Sequence, residues 1–270
     1  MKNRILKISF SLVPVLLFMF ACEEIIEIEL NSSNPNIVIE GNVTDQPGPY
    51  QVKITQTTDY YNPDSIPTIS NAEVQISDNL GNTEVLTKLG NGLYETQAIQ
   101  GTPGRTYTLQ VLHDGESYNA TSFMPHAINI DSFYYTQEEG NFRDKNNYKL
   151  VCVFKDNAGI DDYCRIKVFK NNELESGYFL YNGRLSDGNR IEFDRFRVQE
   201  IKQNDKIQLD LLTIDKTVYE YYSTLSDAIA SDPRGLGSSE VLANPNSNIS
   251  GGALGYFGAY PLRTDSLVIK

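Results

Sequence analysis

Residues 72–77 and 106–111 read Ala72-Glu73-Val74-Gln75-Ile76-Ser77 and Thr106-Tyr107-Thr108-Leu109-Gln110-Val111. In the first, Val74 and Ile76 alternate with Glu73, Gln75 and Ser77. In the second, Tyr107, Leu109 and Val111 alternate with Thr108 and Gln110. A period of two puts one set of side chains on each face of an extended chain, apolar inward and polar outward. The same pattern recurs over Tyr50–Thr57, where Val52 and Ile54 oppose Gln51, Lys53 and Thr55. Further short runs lie at Asn36–Val43, Thr83–Thr87, Leu93–Ala98 and Ser117–Phe123. Gln46-Pro47-Gly48-Pro49, Asp78-Asn79-Leu80-Gly81, Gly90-Asn91-Gly92, Thr102-Pro103-Gly104 and His113-Asp114-Gly115 separate them as turns. About seven strands spaced by roughly 8–12 residues predict an all-β, Ig-like or transthyretin-like β-sandwich over residues 36–125. Trp is absent, so no Cys–Trp–Cys core exists and the likeness to immunoglobulins is architectural.

Met124-Pro125 reads as a boundary, and residues 126–270 as a second β-rich domain. Its strand candidates are Ile128–Gln137, Tyr148–Lys155, Asp162–Lys170, Ser176–Tyr181 and Lys206–Ile214, with closing strands at Ala253–Tyr260 and Thr264–Lys270. One helix is expected at 216–231. Asp215 can cap it, Val218, Tyr222, Leu225 and Ile229 form one apolar stripe, and Asp232-Pro233 ends it. Such a helix would cover one face or end of the second sheet.

The chain has 270 residues, with 35 acidic and 23 basic side chains, a net charge of −12. Such a balance repels nucleic acid and anionic head groups. The N-terminus carries Lys2, Arg4 and Lys7 ahead of a largely apolar run, Ile8–Ala21. That run suits a secretory leader and falls short of the ~20 residues that span a bilayer. It ends in Met19-Phe20-Ala21-Cys22, where a small residue before Cys resembles a bacterial lipobox, although Met19 and Phe20 depart from its usual form. Residues 1–21 are therefore read as a lipoprotein signal peptide and Cys22 as the lipidated residue. The alternative is an ordinary leader with an incidental cysteine. Residues 22–35 form an acidic tether, Glu23-Glu24-Ile25-Ile26-Glu27-Ile28-Glu29-Leu30, which can double as a short strand. Acidic residues beside a lipidated Cys resemble the surface-export signal of Bacteroidetes-type lipoproteins. The expected location is thus the outer membrane, lipid-anchored, facing the cell exterior.

An envelope location permits disulfides. If Asp156-Asn157-Ala158-Gly159 is a hairpin turn, Cys152 and Cys164 face each other and can bridge; two buried free thiols are the alternative. Candidate ligand or partner contacts are two aromatic pairs. Tyr60 and Tyr61 lie in the long break Thr58–Asn71, which otherwise reads as an edge loop. Tyr178 and Tyr181 lie in a strand, where aromatics usually serve cross-strand packing. Asp156, Asn157, Asp161 and Asp162 offer hard oxygens for Ca²⁺, but without an EF-hand pattern they read as a hairpin loop. No G-x-S-x-G, H-E-x-x-H, Walker or dinucleotide motif is present, and His113 and His126 sit in turn-like surroundings. No catalytic residue, metal or cofactor is expected, and the protein is read as a non-enzyme.

The order of several segments resembles the Bacteroidetes-type lipoprotein family known as domain of unknown function 4249. The segments are Cys22-Glu23, Val38-Ile39-Glu40-Gly41, Asn71-Ala72-Glu73-Val74, Gly92-Leu93-Tyr94, Pro103-Gly104-Arg105-Thr106-Tyr107-Thr108-Leu109, Pro125 and the terminal run from Ser247 to Tyr260. That resemblance implies an outer-membrane lipoprotein working beside a TonB-dependent transporter, as a non-catalytic binding or accessory partner in uptake of an unknown small ligand. A structural or adhesive envelope protein without a nutrient ligand is the alternative. The family brings no catalytic or binding residues.

Overall fold

The structure is a computed structural model and describes residues 35–58, 66–138, 147–198, 200–230 and 244–270. The leader, Cys22 and the tether up to residue 34 lie outside the described residues. The alternating segments form the expected strands, and Pro35–Lys270 is mostly β.

In the first sandwich, β1 (Ile37–Thr44) pairs antiparallel with β2 (Gln51–Gln56). The short strands β6 (Leu93–Glu95) and β5 (Thr87–Gly90) extend that sheet. The opposing sheet runs β4 (Thr83–Val85), β3 (Glu73–Asp78), β7 (Thr106–His113), β8 (Glu116–Phe123). The run expected as one strand over 83–87 is divided between the two sheets, with buried Leu86 at the crossing. Ile39, Val52, Ile54, Val74, Ile76, Tyr94, Tyr107 and Leu109 fill the interior. The buried hydroxyl of Tyr94 donates to the Ile69 carbonyl at 2.9 Å and accepts from the Ala72 N–H at 3.0 Å, so its polar end carries no desolvation debt.

The terminal glycine-rich run corrects the sequence reading. It was expected to close the second domain, yet β16 (Leu254–Tyr260) returns to the first sandwich and pairs parallel with β1. Gly255 lies opposite Ile39 with φ +94°, and a Cβ there would stand 2.1 Å from the Ile39 carbonyl oxygen. Only glycine fits such a backbone and such an approach. The Asn248 side chain then closes the sheet edge. It accepts from the Phe257 N–H at 3.0 Å and donates to the carbonyls of Phe257 at 2.8 Å and Thr121 at 3.3 Å. One carboxamide thereby joins β8 to β16 as a strand would.

The second sandwich packs β14 (Arg190–Phe193), β10 (Asn147–Lys155) and β9 (Ile130–Glu138) against β11 (Tyr163–Lys170), β15 (Lys206–Ile214) and β17 (Leu262–Val268). Two short strands, β12 (Glu173–Leu174) and β13 (Phe179–Asn182), also pair with β11. Here too the sequence reading needs correction. The β10 and β11 strands do not form a hairpin; β10 pairs with β9 and β14, and β11 with β12, β13 and β15. The Asp156–Asp162 segment carries the chain from one sheet to the other. Cys152 and Cys164 therefore belong to opposing sheets, and both are buried free thiols within one core. Burial pushes the Cys152 thiol up to about 12 and Cys164 well above its ordinary value, which makes both poor nucleophiles.

Between the sandwiches lies the helix α1 (Lys216–Ala230), at the expected position except that Ser231 lies outside the described residues. Asp215 caps it: one carboxylate oxygen accepts from the Val218 N–H at 2.8 Å and from the Thr217 hydroxyl. The other oxygen accepts from the Ser122 hydroxyl and the Phe123 N–H of β8. A helix cap thus doubles as a tie to the first sandwich. A second tie is Asp45 to Arg263, at 2.6 Å, with the Leu262 N–H also donating to Asp45.

Candidate functional site

Strand β11 has two faces with different fates. Cys164, Ile166 and Val168 point into the second core. Tyr163, Arg165 and Lys167 alternate with them and so occupy the outer face, where α1 crosses. The helix presents Val218, Tyr221 and Tyr222. From the first sandwich, β16 sends Phe257 and Ala259 inward and turns Tyr256, Gly258 and Tyr260 toward the helix. A Cβ at Gly258 would stand 3.1 Å from the Tyr260 ring and 3.4 Å from Val218 Cγ2; its absence lets α1 settle close to the strand.

The result is a tyrosine cluster assembled from three elements around one cation. The Tyr221 and Tyr256 rings stack with centroids 4.9 Å apart, and Tyr222 meets Tyr256 edge-on at 5.0 Å. Tyr178 stacks on Tyr222 at 5.7 Å. The Arg165 guanidinium lies 3.8 Å from the Tyr222 ring centroid and 5.4 Å from that of Tyr178, so both ring faces attract its charge. Burial raises the hydroxyl pKa of Tyr222 and Tyr260, and that of Tyr221 to about 12; these hydroxyls stay neutral. Among the described residues Arg165 makes no hydrogen bond or ion pair, and its Nε is a buried donor without an acceptor. Lys167, two residues on, forms no ion pair there either; burial, then the Arg165 charge, pull its pKa below the usual lysine range. Two cations therefore stand together on one half-buried face of an acidic chain.

A second polar region lies in the first sandwich, at a cavity of about 370 Å³ bordered by Asp78, Glu84, Gln100 and Arg105. Its charges are consumed internally. Asp78 accepts from Arg105 Nη1 at 2.8 Å, from the Leu80 and Asn82 N–H groups at 3.0 Å, and from Asn82 Nδ2 at 2.8 Å. The Glu84 carboxylate accepts from the N–H groups of Gln97, Ala98 and Ile99. Groups so engaged offer an incoming ligand nothing that they are not already giving each other.

The family described as "Domain of unknown function (DUF4249)" matches residues 23–266. The chain belongs to that family. The matched span takes in both sandwiches, the helix and the returning strand β16, so the DUF4249 unit and the two-sandwich body coincide over nearly their whole length. No curated protein matches the chain.

The residues singled out from sequence fall in three places. Cys22, Tyr60 and Tyr61 lie outside the described residues. Tyr178 stands in the tyrosine cluster. Tyr181, its presumed companion, does not: it is buried in the second core, edge-on to Phe154 at 5.1 Å, and its hydroxyl donates to Asp156 at 3.2 Å. Asp156 and Asp162 are buried and bound to the loops around them, Asp156 accepting from the Gly188 N–H and Asp162 from the Asn157 N–H. Sequence reading missed Arg165, Lys167, Tyr221, Tyr222 and Tyr256 as a group. The alternation of Arg165 and Lys167 with apolar neighbours puts both on one face of the strand, but nothing in that pattern shows that α1 and β16 partly cover the face.

Proposed function

We propose that this DUF4249 protein is a surface-exposed outer-membrane lipoprotein and a non-catalytic recognition partner of a TonB-dependent transporter in nutrient uptake. The observation that carries the reading is Ala21-Cys22 at the end of a short apolar leader. Several acyl chains on Cys22 would give stable anchoring, which a single chain does not. The acidic tether would then hold the folded body, which begins near Pro35, close to the membrane surface. The partnered or buried state of the carboxylates, thiols and tyrosines described above supports recognition over catalysis, and the half-buried Arg165 beside the tyrosine cluster supplies a polar group for it.

The test is fractionation and co-purification. Cys22→Ala should move the protein from the membrane to the soluble fraction, read by immunoblot. Wild-type protein extracted in mild detergent should bring an outer-membrane barrel with it, identified by mass spectrometry. Retention of Cys22→Ala in the membrane sinks the lipid anchor; repeated recovery without a barrel sinks the partnership.

A further inference from the structure

We propose that Arg165 is the anchor of a ligand subsite for a carboxylate, taken end-on by its two terminal guanidinium nitrogens. This deepens the recognition reading above and rests on it, but on different residues. A guanidinium is a planar fork whose geometry matches a carboxylate in two parallel hydrogen bonds. Contact with the faces of Tyr222 and Tyr178 holds the guanidinium in place, so the fork loses little freedom on binding. Its N–H groups have no acceptor among the described residues, whereas Arg105 Nη1 donates to Asp78. Nε is buried and takes no part in the contact; the two terminal nitrogens, which also lack an acceptor among the described residues but are not buried, are the ones left to donate.

Lys167 on the same face adds a second positive charge. The acids facing the pair are Asp210, which lies opposite Lys167 on β15, and Glu40, which lies beside Tyr256 on β1. Asp210 already accepts from Thr264 and Gln208. Glu40 is exposed at the outer side of the cluster and forms no ion pair with Arg165. A single small carboxylate is favoured over a polyanion, because the whole chain is strongly negative. A planar group also suits a site lined by stacked rings better than a tetrahedral oxyanion does.

The chain has 17 Tyr and no Trp, so near-ultraviolet circular dichroism reports on tyrosines directly. Full-length lipoprotein in detergent is titrated with sodium D-glucuronate, with D-glucose at matched ionic strength, and with sodium sulfate. The expected result is a saturable change with glucuronate, none with glucose, and a weaker change with sulfate. Arg165→Met should weaken glucuronate binding by about tenfold or more, as loss of a charge-assisted bidentate contact implies. Arg165→Lys, which keeps the charge but not the fork, should weaken it by several-fold and decides the matter if the Met variant loses its native spectrum. An unchanged affinity in both variants overturns the proposal, as does equal affinity for sulfate and glucuronate, or no saturable response to glucuronate. Fractionation of Cys22→Ala and recovery of a barrel do not depend on Arg165, so failure of the transporter reading and failure of the carboxylate subsite are told apart.

Discussion

Arg105 and Arg165 stand one in each sandwich, and the fold treats them in opposite ways. Arg105 meets a carboxylate whose side chain is only 2 % exposed, while Arg105 itself keeps 31 % of its surface. That carboxylate is further held by two backbone N–H groups and an amide. Arg165 meets rings instead, with a lysine as its charged neighbour on the strand. A buried ion pair with every lone pair engaged is a structural fastener, costly to break from either side. A guanidinium held by ring faces is fixed in position but still able to donate. The same residue type is thus spent in the first sandwich and kept free at the junction.

The comparison is most sharply tested by breaking the fastener. Asp78→Ala removes the acceptor for Arg105 and for the three N–H donors of the 78–82 turn. We expect a loss of about 3 kcal/mol, in the range seen when one partner of a buried pair is removed, read as a shift in the urea midpoint by circular dichroism. Arg105→Met should cost a similar amount, and the double variant less than the sum of the two. Additive losses would show that the pair is not a unit. The sign of its pH dependence follows from Asp78. Burial alone would raise its pKa, but hydrogen bonds from Asn82, Leu80 and Arg105 bring it below the ordinary value. Its contribution is present above the unfolded carboxylate pKa and is lost as pH falls through the folded one.

A smaller effect of opposite sign is expected from the acids of the second sandwich. Burial, then the mutual repulsion of the two carboxylates, raises the pKa of Asp156; burial raises that of Asp162. The folded state therefore binds protons that the unfolded state releases. Stability contributed here is greatest below the unfolded carboxylate pKa, near 4, and declines as pH rises through the folded values. Asp156→Asn removes one of the two buried carboxylates and with it their mutual repulsion. We expect a gain of about 1 kcal/mol at neutral pH, vanishing near pH 4, measured by urea unfolding across that range. A variant less stable than wild type at pH 7 would show that the Asp156 charge is needed in the fold.

These features were unequally legible in the sequence. Alternation places Val74, Ile76, Tyr107 and Leu109 on an inner face, and Cys164, Ile166 and Val168 likewise, because period two is a property of each strand alone. Partnership is not such a property. The Asp156–Asp162 segment has the composition of a hairpin turn, yet it links two sheets, so the cysteines meet across a core rather than across a ladder. Gly255 announces a close backbone approach, but not that Ile39, at the other end of the chain, is what approaches. Strands as short as Glu173–Leu174 and Arg190–Phe193 show too few alternations to register. The helix stripe was legible over Val218 and Tyr222, both buried, but Ile229 is 65 % exposed because the helix outruns the surface it covers. The candidate site draws on β11, α1, β16 and Tyr178, just ahead of β13, at once, and no local window contains it.

The smallest expected effect concerns Arg165 itself. Replacing it by Met keeps an unbranched stem lying on Tyr222 and allows a sulfur–aromatic contact of a few tenths of a kcal/mol or more. The change forfeits a cation–π attraction of about 1–2 kcal/mol. It also removes a buried N–H without an acceptor, whose desolvation costs about 1–3 kcal/mol. These terms oppose one another, so the net change in stability should stay within about 1 kcal/mol, well under the loss at Asp78. The Lys167 pKa, held down by burial and then by the Arg165 charge, should rise toward its ordinary value in the variant, which NMR titration of its side chain would follow. A loss as large as that of Arg105→Met would place Arg165 among the fasteners. A small loss together with a raised Lys167 means that the fold does not need this cation, and that its fixed, unpaired charge is retained at a standing electrostatic cost to its neighbour.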